Sequence, residues 1–147
     1  MDKLMNLLIS MRRNFILAKL SYVLMRLLGL CIPPSVKIGK NLKLIHWAYG
    51  LVIHPNTIIG DNVRIYSGVT IGRADIFIEN RTDIKIVIED NAIICTGAKV
   101  LCKGEQLVVG KGSIIGANSV LLRSTGVGEI WGGIPALKIK DVIKSSI

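Results

Sequence analysis

The chain has 147 residues, enough for one domain and too few for a second core. Half of it is hydrophobic, 20% is charged and the mean hydropathy is +0.52, which excludes intrinsic disorder, and with only 5% aromatics the core must be built from thin layers of small and branched aliphatics. Nineteen Lys and Arg against ten Asp and Glu give a net charge of +9, an attraction to anions that leaves nucleic acid, acidic lipid, acidic polysaccharide and phosphate-bearing cofactors open.

The first element is a helix. Leu4, Leu8, Met11, Phe15, Ala18, Tyr22 and Met25 recur at steps of four and three, which predicts one helix over 3–28 with these side chains on one stripe. Gly29 and the Pro33-Pro34 pair end it. The ordinary reading is a helix packed on its own domain or on a neighbouring subunit. A second reading is a peripheral membrane-surface helix, since Lys3, Arg12, Arg13, Lys19 and Arg26 face only Asp2. The same charges interrupt any run of about 20 apolar residues, and no small-residue cleavage site follows, so neither a spanning helix nor a secretory signal is expected. The sequence divides into a helix over 1–30, a repetitive domain over 31–140 and a tail over 141–147.

Past residue 30 the period becomes six. Aliphatics fall at Ile32, Ile38 and Leu44; at Ile53, Ile59, Ile65 and Ile71; at Ile88, Ile94 and Val100; and at Val109, Ile115 and Leu121. Four positions after most of them stands a small or branched residue: Val36, Thr57, Val63, Val69, Ala92, Ala98, Ser113 and Ser119. A fixed short period is the mark of a solenoid whose units bury their apolar sides by stacking. Each unit is a short strand and a corner: the aliphatic points inward, the small residue fills the inside of the turn, and the glycine after the aliphatic (Gly39, Gly60, Gly72, Gly110, Gly116) is expected to supply the unusual backbone of the bend. The phase breaks after Leu44, Ile71 and Val100, each break predicting an expelled loop. The longest, at about 73–87, carries Arg73, Asp75, Glu79, Arg81, Asp83 and Lys85. Cys31, Cys95 and Cys102 are odd in number and have no CxxC spacing, so they read as small buried residues of a protein in a reducing cytoplasm, with neither a disulfide framework nor a metal site.

The register of Ile59-Gly60-Asp61-Asn62-Val63-Arg64 and of Ile115-Gly116-Ala117-Asn118-Ser119-Val120 resembles that of the hexapeptide-repeat acyltransferases. The resemblance implies an all-β solenoid, a left-handed parallel β-helix with one N-terminal helix, assembled as a homotrimer. This hand opposes the usual rule for parallel crossovers. Within that superfamily, the stretch Ile32 to Gly39, followed by Leu44-Ile45-His46 and Gly50-Leu51-Val52-Ile53, looks like the serine acetyltransferase branch, and similar short proteins occur as capsular and exopolysaccharide O-acetyltransferases. The end, Gly132-Gly133-Ile134-Pro135-Ala136-Leu137-Lys138-Ile139-Lys140, is similar to the segment that closes these solenoids near their CoA site.

Acyl transfer from a thioester to a hydroxyl needs a base of near-neutral pKa, and the chain has two histidines. The resemblance gives the role to His46, with one residue inserted before Gly50 that puts Trp47 in the competing column; His54 is the rival base. Three further positions depart from the family pattern. Cys31 stands where an aspartate would orient the histidine, Ile45 where a second aspartate would bind the amino acid, and Lys85 near the place of a further histidine. Without a carboxylate for a substrate ammonium, the acceptor site formed by Cys31, Ile45, Trp47 and Lys85 suits an uncharged sugar hydroxyl better than serine. Asp75, Glu79, Asp83 and Glu89 are candidates to orient His46 across a subunit boundary. The resemblance also implies that acetyl-CoA lies along the coils, with backbone at Gly97, Ala98, Gly116 and Ala117 against the pantetheine and Pro135, Lys138 and Lys140 near the phosphates. No metal motif or Walker loop is present, and dispersed charge with few aromatics argues against nucleic acid. The sequence therefore predicts an acetyl-CoA-dependent O-acetyltransferase acting on a hydroxyl of a surface polysaccharide or its precursor, in the cytoplasm or at the inner membrane face. The alternatives are serine acetylation and a non-catalytic solenoid scaffold.

Overall fold

A computed structural model describes residues 2–12, 14–75, 77 and 84–142. From residue 31 the chain winds as a left-handed parallel β-helix. The first coil holds β1 (Lys37–Ile38), β2 (Lys43–Leu44) and β3 (Val52–Ile53), and the second β4 (Thr57–Ile59), β5 (Arg64–Ile65) and β6 (Thr70–Arg73). The third coil holds β7 (Lys85–Ile88), β8 (Ile93–Ile94) and β9 (Lys99–Cys102); the fourth holds β10 (Gln106–Val109), β11 (Ile114–Ile115) and β12 (Val120–Leu121). Stacking gives three parallel sheets, β1-β4-β7-β10, β2-β5-β8-β11 and β3-β6-β9-β12. The second sheet is extended by β13 (Glu129–Gly133) and, antiparallel to it, β14 (Ala136–Asp141).

The six-residue period becomes three ladders of side chains inside the prism. Ile38 stacks through Ile59 and Ile88 to Val109; Leu44 through Ile65, Ile94 and Ile115 to Trp131; Ile53 through Ile71 and Val100 to Leu121. All but the half-buried Ile38 are buried, as are all eight small corner residues. Of the cysteines only Cys102 is fully buried; Cys31 and Cys95 follow outward phases of the repeat and are half-buried.

The corners are made differently from the sequence expectation. The left-handed residues are Asn41, Asn62, Asn91 and Gly112 along one edge and Gly29, Gly50, Gly68, Gly97 and Asn118 along another, with φ between 54° and 78°. Asn and Gly tolerate this region. Their amides rivet coil to coil: Asn62 N donates to Lys40 O and Asn91 N to Asp61 O, both at 2.8 Å. The glycines after the aliphatics have no positive φ and answer to space instead. A Cβ on Gly39 would lie 2.7 Å from the Gly60 carbonyl carbon, one on Gly60 2.8 Å from Asp90 N, and one on Gly110 against Gly126 O. At Gly72 the nearest atoms lie 4.0 Å away.

The predicted single helix is two, α1 (Asp2–Met11) and α2 (Phe15–Leu27). Asn14 breaks it by adopting an extended backbone and capping α2, its Oδ1 accepting from Ile16 N at 3.0 Å and Leu17 N at 3.4 Å. Beside it the Arg12 guanidinium turns onto the first coil and donates to the carbonyls of Ile32 (2.8 Å), Pro33 (2.5 Å) and Val36 (3.3 Å). Burial lowers the Arg12 pKa, and the carbonyls return the lost solvation. The break shifts the buried stripe: Met5, Leu8 and Met25 join Leu30 in the core and cover the open first coil, whereas Leu4 is exposed and the Phe15 side chain lies outside the described set. Among the described residues no helix is long and apolar enough to cross a membrane. The expelled loop is narrower than predicted, because β6 runs through Arg73 and β7 starts at Lys85. Glu79, Arg81, Asp83 and the tail beyond 142 lie outside the described residues.

Candidate active site

The site grows from the first phase break. Two residues separate the inward Ile65 from the corner Gly68, but five separate Leu44 from Gly50. The three extra residues bulge as a turn over Ile45–Ala48, with φ of 51° at His46, 62° at Trp47 and 45° at Ala48. Three consecutive left-handed residues without a glycine cost roughly 1 kcal/mol each or more. The surroundings hold them: Ala48 is buried and accepts from Leu51 N at 3.0 Å, Gly50 N donates to Gly29 O at 3.0 Å, and Trp47 stacks on Tyr49 at 6.1 Å. The turn presents an exposed His46 imidazole, edge-on to the Tyr66 ring of the next coil at 6.3 Å.

His46 and Ile45 help line a cleft of about 860 Å³ between α1 and the first coil, with Asn6, Ser10, Arg12, Lys40, Asn41 and Lys43 also among its walls. Among the described residues no carboxylate lines it. Cys31 pairs in parallel with Val52, one coil below, and its Sγ lies 3.9 Å from the Tyr22 hydroxyl, which accepts from Arg26 at 3.0 Å. Its hydrogen bond is thus to α2 and not to His46. Lys85, at the start of β7, lines a separate depression with Ser35, Lys37 and Asn56. Asp75 is buried and pairs with Arg73 at 3.2 Å within the same chain.

His54 is differently placed. Its Nδ1 accepts from Asn56 N at 3.2 Å, which leaves the ring proton on Nε2. Burial, and then the positive charge of Arg73, hold its pKa below the usual histidine value. Gly97 and Ala98, and Gly116 and Ala117, follow the inward aliphatics of successive coils on one edge of the prism; Ala98 is fully buried and Ala117 exposed. Pro135, directly before β14, and Lys140, near the end of that strand, are both exposed. Lys138 is held 2.9 Å from Glu129 and 2.7 Å from Asp141.

Glu129 escapes a search for repeats. Its carboxylate accepts from Lys138, from Trp131 Nε1 at 2.8 Å and from Gly126 N at 2.6 Å, which holds its pKa down at about 2. The network seals the last coil under Trp131. Its only sequence signal is an acidic residue two places before a Trp that occupies an inward phase. Tyr66 was likewise readable only as a large residue in the column of Ile45, Cys95 and Gly116. Among the described residues, no three His, Cys, Asp or Glu gather as a metal site.

No protein-family model matches the chain. It is 36% identical to the serine acetyltransferase of Bacillus licheniformis over 124 residues, 84% of this chain and 54% of that protein. It is 40% identical to the serine acetyltransferase of Staphylococcus aureus strain Mu50 over 113 residues, 77% of this chain and 50% of that one. The crystal structure of serine acetyltransferase from Brucella abortus strain S19 in complex with coenzyme A matches with a TM-score of 0.74 and 28% identity, covering 90% of this chain and 54% of that chain. By fold, then, the chain is a left-handed β-helix of the hexapeptide-repeat kind. By sequence it is similar to serine acetyltransferases, and it spans about half the length of the curated relatives it matches.

Proposed function

We propose that the chain is an acetyl-CoA-dependent O-acetyltransferase with His46 as general base, working in the cytoplasm as a homotrimer. The observation that carries this reading is the left-handed insert, which holds a strained backbone and presents an exposed imidazole to the lining of a cleft. The imidazole takes the proton of the acceptor hydroxyl as its oxygen attacks the thioester carbonyl; the carbon–sulfur bond breaks, and the proton passes to the departing thiolate. His54 suits the role less, because its acceptor nitrogen is already occupied. For the donor, the corner backbone of Gly97, Ala98, Gly116 and Ala117, with Pro135 and Lys140, forms the side of the prism for the pantetheine and phosphates. Lys138 would join them by exchanging carboxylates for phosphate. Lys85 would reach a His46 site only from a neighbouring subunit.

L-Serine is the acceptor that the names of the relatives support. A second reading, a glycan hydroxyl, is favoured by the cleft itself: among the described residues it is lined by Lys40 and Lys43, with Arg12 committed to backbone carbonyls, and by no carboxylate for an ammonium. Its polysaccharide pathway has no support from the relatives named above. CoA thiol release measured with L-serine and with a panel of neutral and acidic sugars separates the two. Release with serine alone supports the first, and release with sugars alone the second. Bound acetyl-CoA without release on any acceptor would make the chain a non-catalytic solenoid.

A further inference from the structure

The charges, which the sequence reads as dispersed, are distributed unevenly along the axis of the fold. Residues 2–56, which run from the start of α1 to the end of the first coil, contain eight Lys or Arg and a single acid, Asp2. In the sequence, residues 57–147 hold eleven basic and nine acidic residues. The excess charge therefore sits at one end of the prism. The same end carries the apolar surface. On α2, Ala18, Ser21 and Met25 face the core, and Ser21 Oγ donates to Leu8 O at 2.6 Å to lock the helix onto α1. The opposite face presents Ile16, Leu17, Leu20, Val23, Leu24 and Leu27, with Ile16 77% and Leu27 79% exposed. Helical spacing puts these six on one contiguous stripe and Lys19 and Arg26, one heptad apart, along its border. α2 contains no acidic residue. Arg26 is folded back over its own helix, donating to the Tyr22 hydroxyl with its guanidinium 5.7 Å from the ring centroid.

We propose that this end of the prism docks on an anionic lipid surface, with the α2 stripe entering the interfacial region and the surrounding cations facing the headgroups. An apolar helical face bordered by Lys and Arg is the pattern of an interfacial helix, and net positive charge at the same end supplies long-range attraction to an acidic leaflet. A second copy of the chain fits the face less well, because mating two such faces would bring two strongly cationic ends together. The proposal is independent of which acceptor is acetylated.

The test is co-sedimentation of the full chain with vesicles of phosphatidylcholine alone and of phosphatidylcholine and phosphatidylglycerol in equal parts, together with sedimentation velocity without lipid. The proposal expects binding to the mixed vesicles only. Adding Ile16→Ser and Leu27→Ser together should weaken it by about tenfold or more, and Lys19→Gln or Arg26→Gln should weaken it by about fivefold each. These side chains are exposed, and unchanged circular dichroism confirms that the variants fold. Three results would overturn the proposal: no binding to mixed vesicles; binding that the double serine variant leaves intact, which is attraction by charge alone; or a higher oligomer in the absence of lipid that the same serines dissolve, which gives the face to a second copy.

Discussion

Gly60→Ala and Gly72→Ala test the account of how the coils are held together. Both glycines follow an inward isoleucine in the same phase of the repeat, yet the structure assigns them opposite outcomes. A Cβ on Gly60 would collide with Asp90 Oδ1 and lie 2.8 Å from Asp90 N and 3.1 Å from the Glu89 carbonyl carbon, so the Asp90 carboxylate must swing away and the third coil retreat by about 0.6 Å to restore ordinary backbone contact at 3.4 Å. That retreat stretches the bonds that join the coils there, Gly60 N to Ile88 O and Asp61 N to Asp90 Oδ1, both 2.8 Å. Two buried or half-buried hydrogen bonds at about 1 kcal/mol each, with strain from overpacking, give a loss of about 2–4 kcal/mol. At Gly72 the nearest atoms are 4.0 Å away, and the methyl costs nothing or stabilises by up to about 1 kcal/mol through the unfolded chain. Urea unfolding of the two variants beside wild type is the assay. Equal shifts at both positions would refute the claim that coil-to-coil approach dictates these glycines.

Arg12→Ala should remove about 2–3 kcal/mol by orphaning the carbonyls of Ile32, Pro33 and Val36, and limited proteolysis should then cut between α1 and α2 before it cuts the coils. Glu129 has a folded pKa of about 2 against an ordinary 4.5, so its contribution is fully present above pH 4.5 and is lost as pH falls from there toward 2. Screening at the half-exposed Lys138 limits that contribution to about 1 kcal/mol, and acid titration of Glu129→Gln should show a shallower loss of stability over this window than wild type. His54→Asn should leave the acetyl-transfer rate within about threefold of wild type, since its Nδ1 serves the backbone of Asn56; a loss of the size general-base removal produces would move the base from His46 to His54.

The fold was largely legible because a solenoid repeats its own evidence. The thirteen inward aliphatics of the period-six reading include every strand ladder the structure shows except its terminal Trp131, since the same side-chain requirement recurs in each coil. The sequence misassigned the glycine columns because glycine meets two different needs, a left-handed φ at Gly68 and Gly97 and close approach at Gly60 and Gly110. It read one helix where there are two, because a heptad-like stripe continues through Asn14 while the cap and the Arg12 carbonyl bonds depend on a first coil some twenty residues distant. At the site, the phase break flagged the insert that carries His46. The cleft was invisible to periodicity, because α1 forms one wall and the first coil the other. Cys31 shares a sheet with the strand after His46, but its thiol turns to Tyr22, a pairing that no local pattern announces.

The most direct test of the account is acetyl-CoA turnover by His46→Asn beside wild type, in the presence of whichever acceptor supports release of CoA, with acetyl-CoA binding measured in parallel by calorimetry. Asparagine keeps the size and tolerates the left-handed backbone of the insert, so binding should persist while release falls by about a hundredfold or more. Turnover that survives the substitution with binding intact would contradict His46 as the base and, with it, the function assigned to the insert.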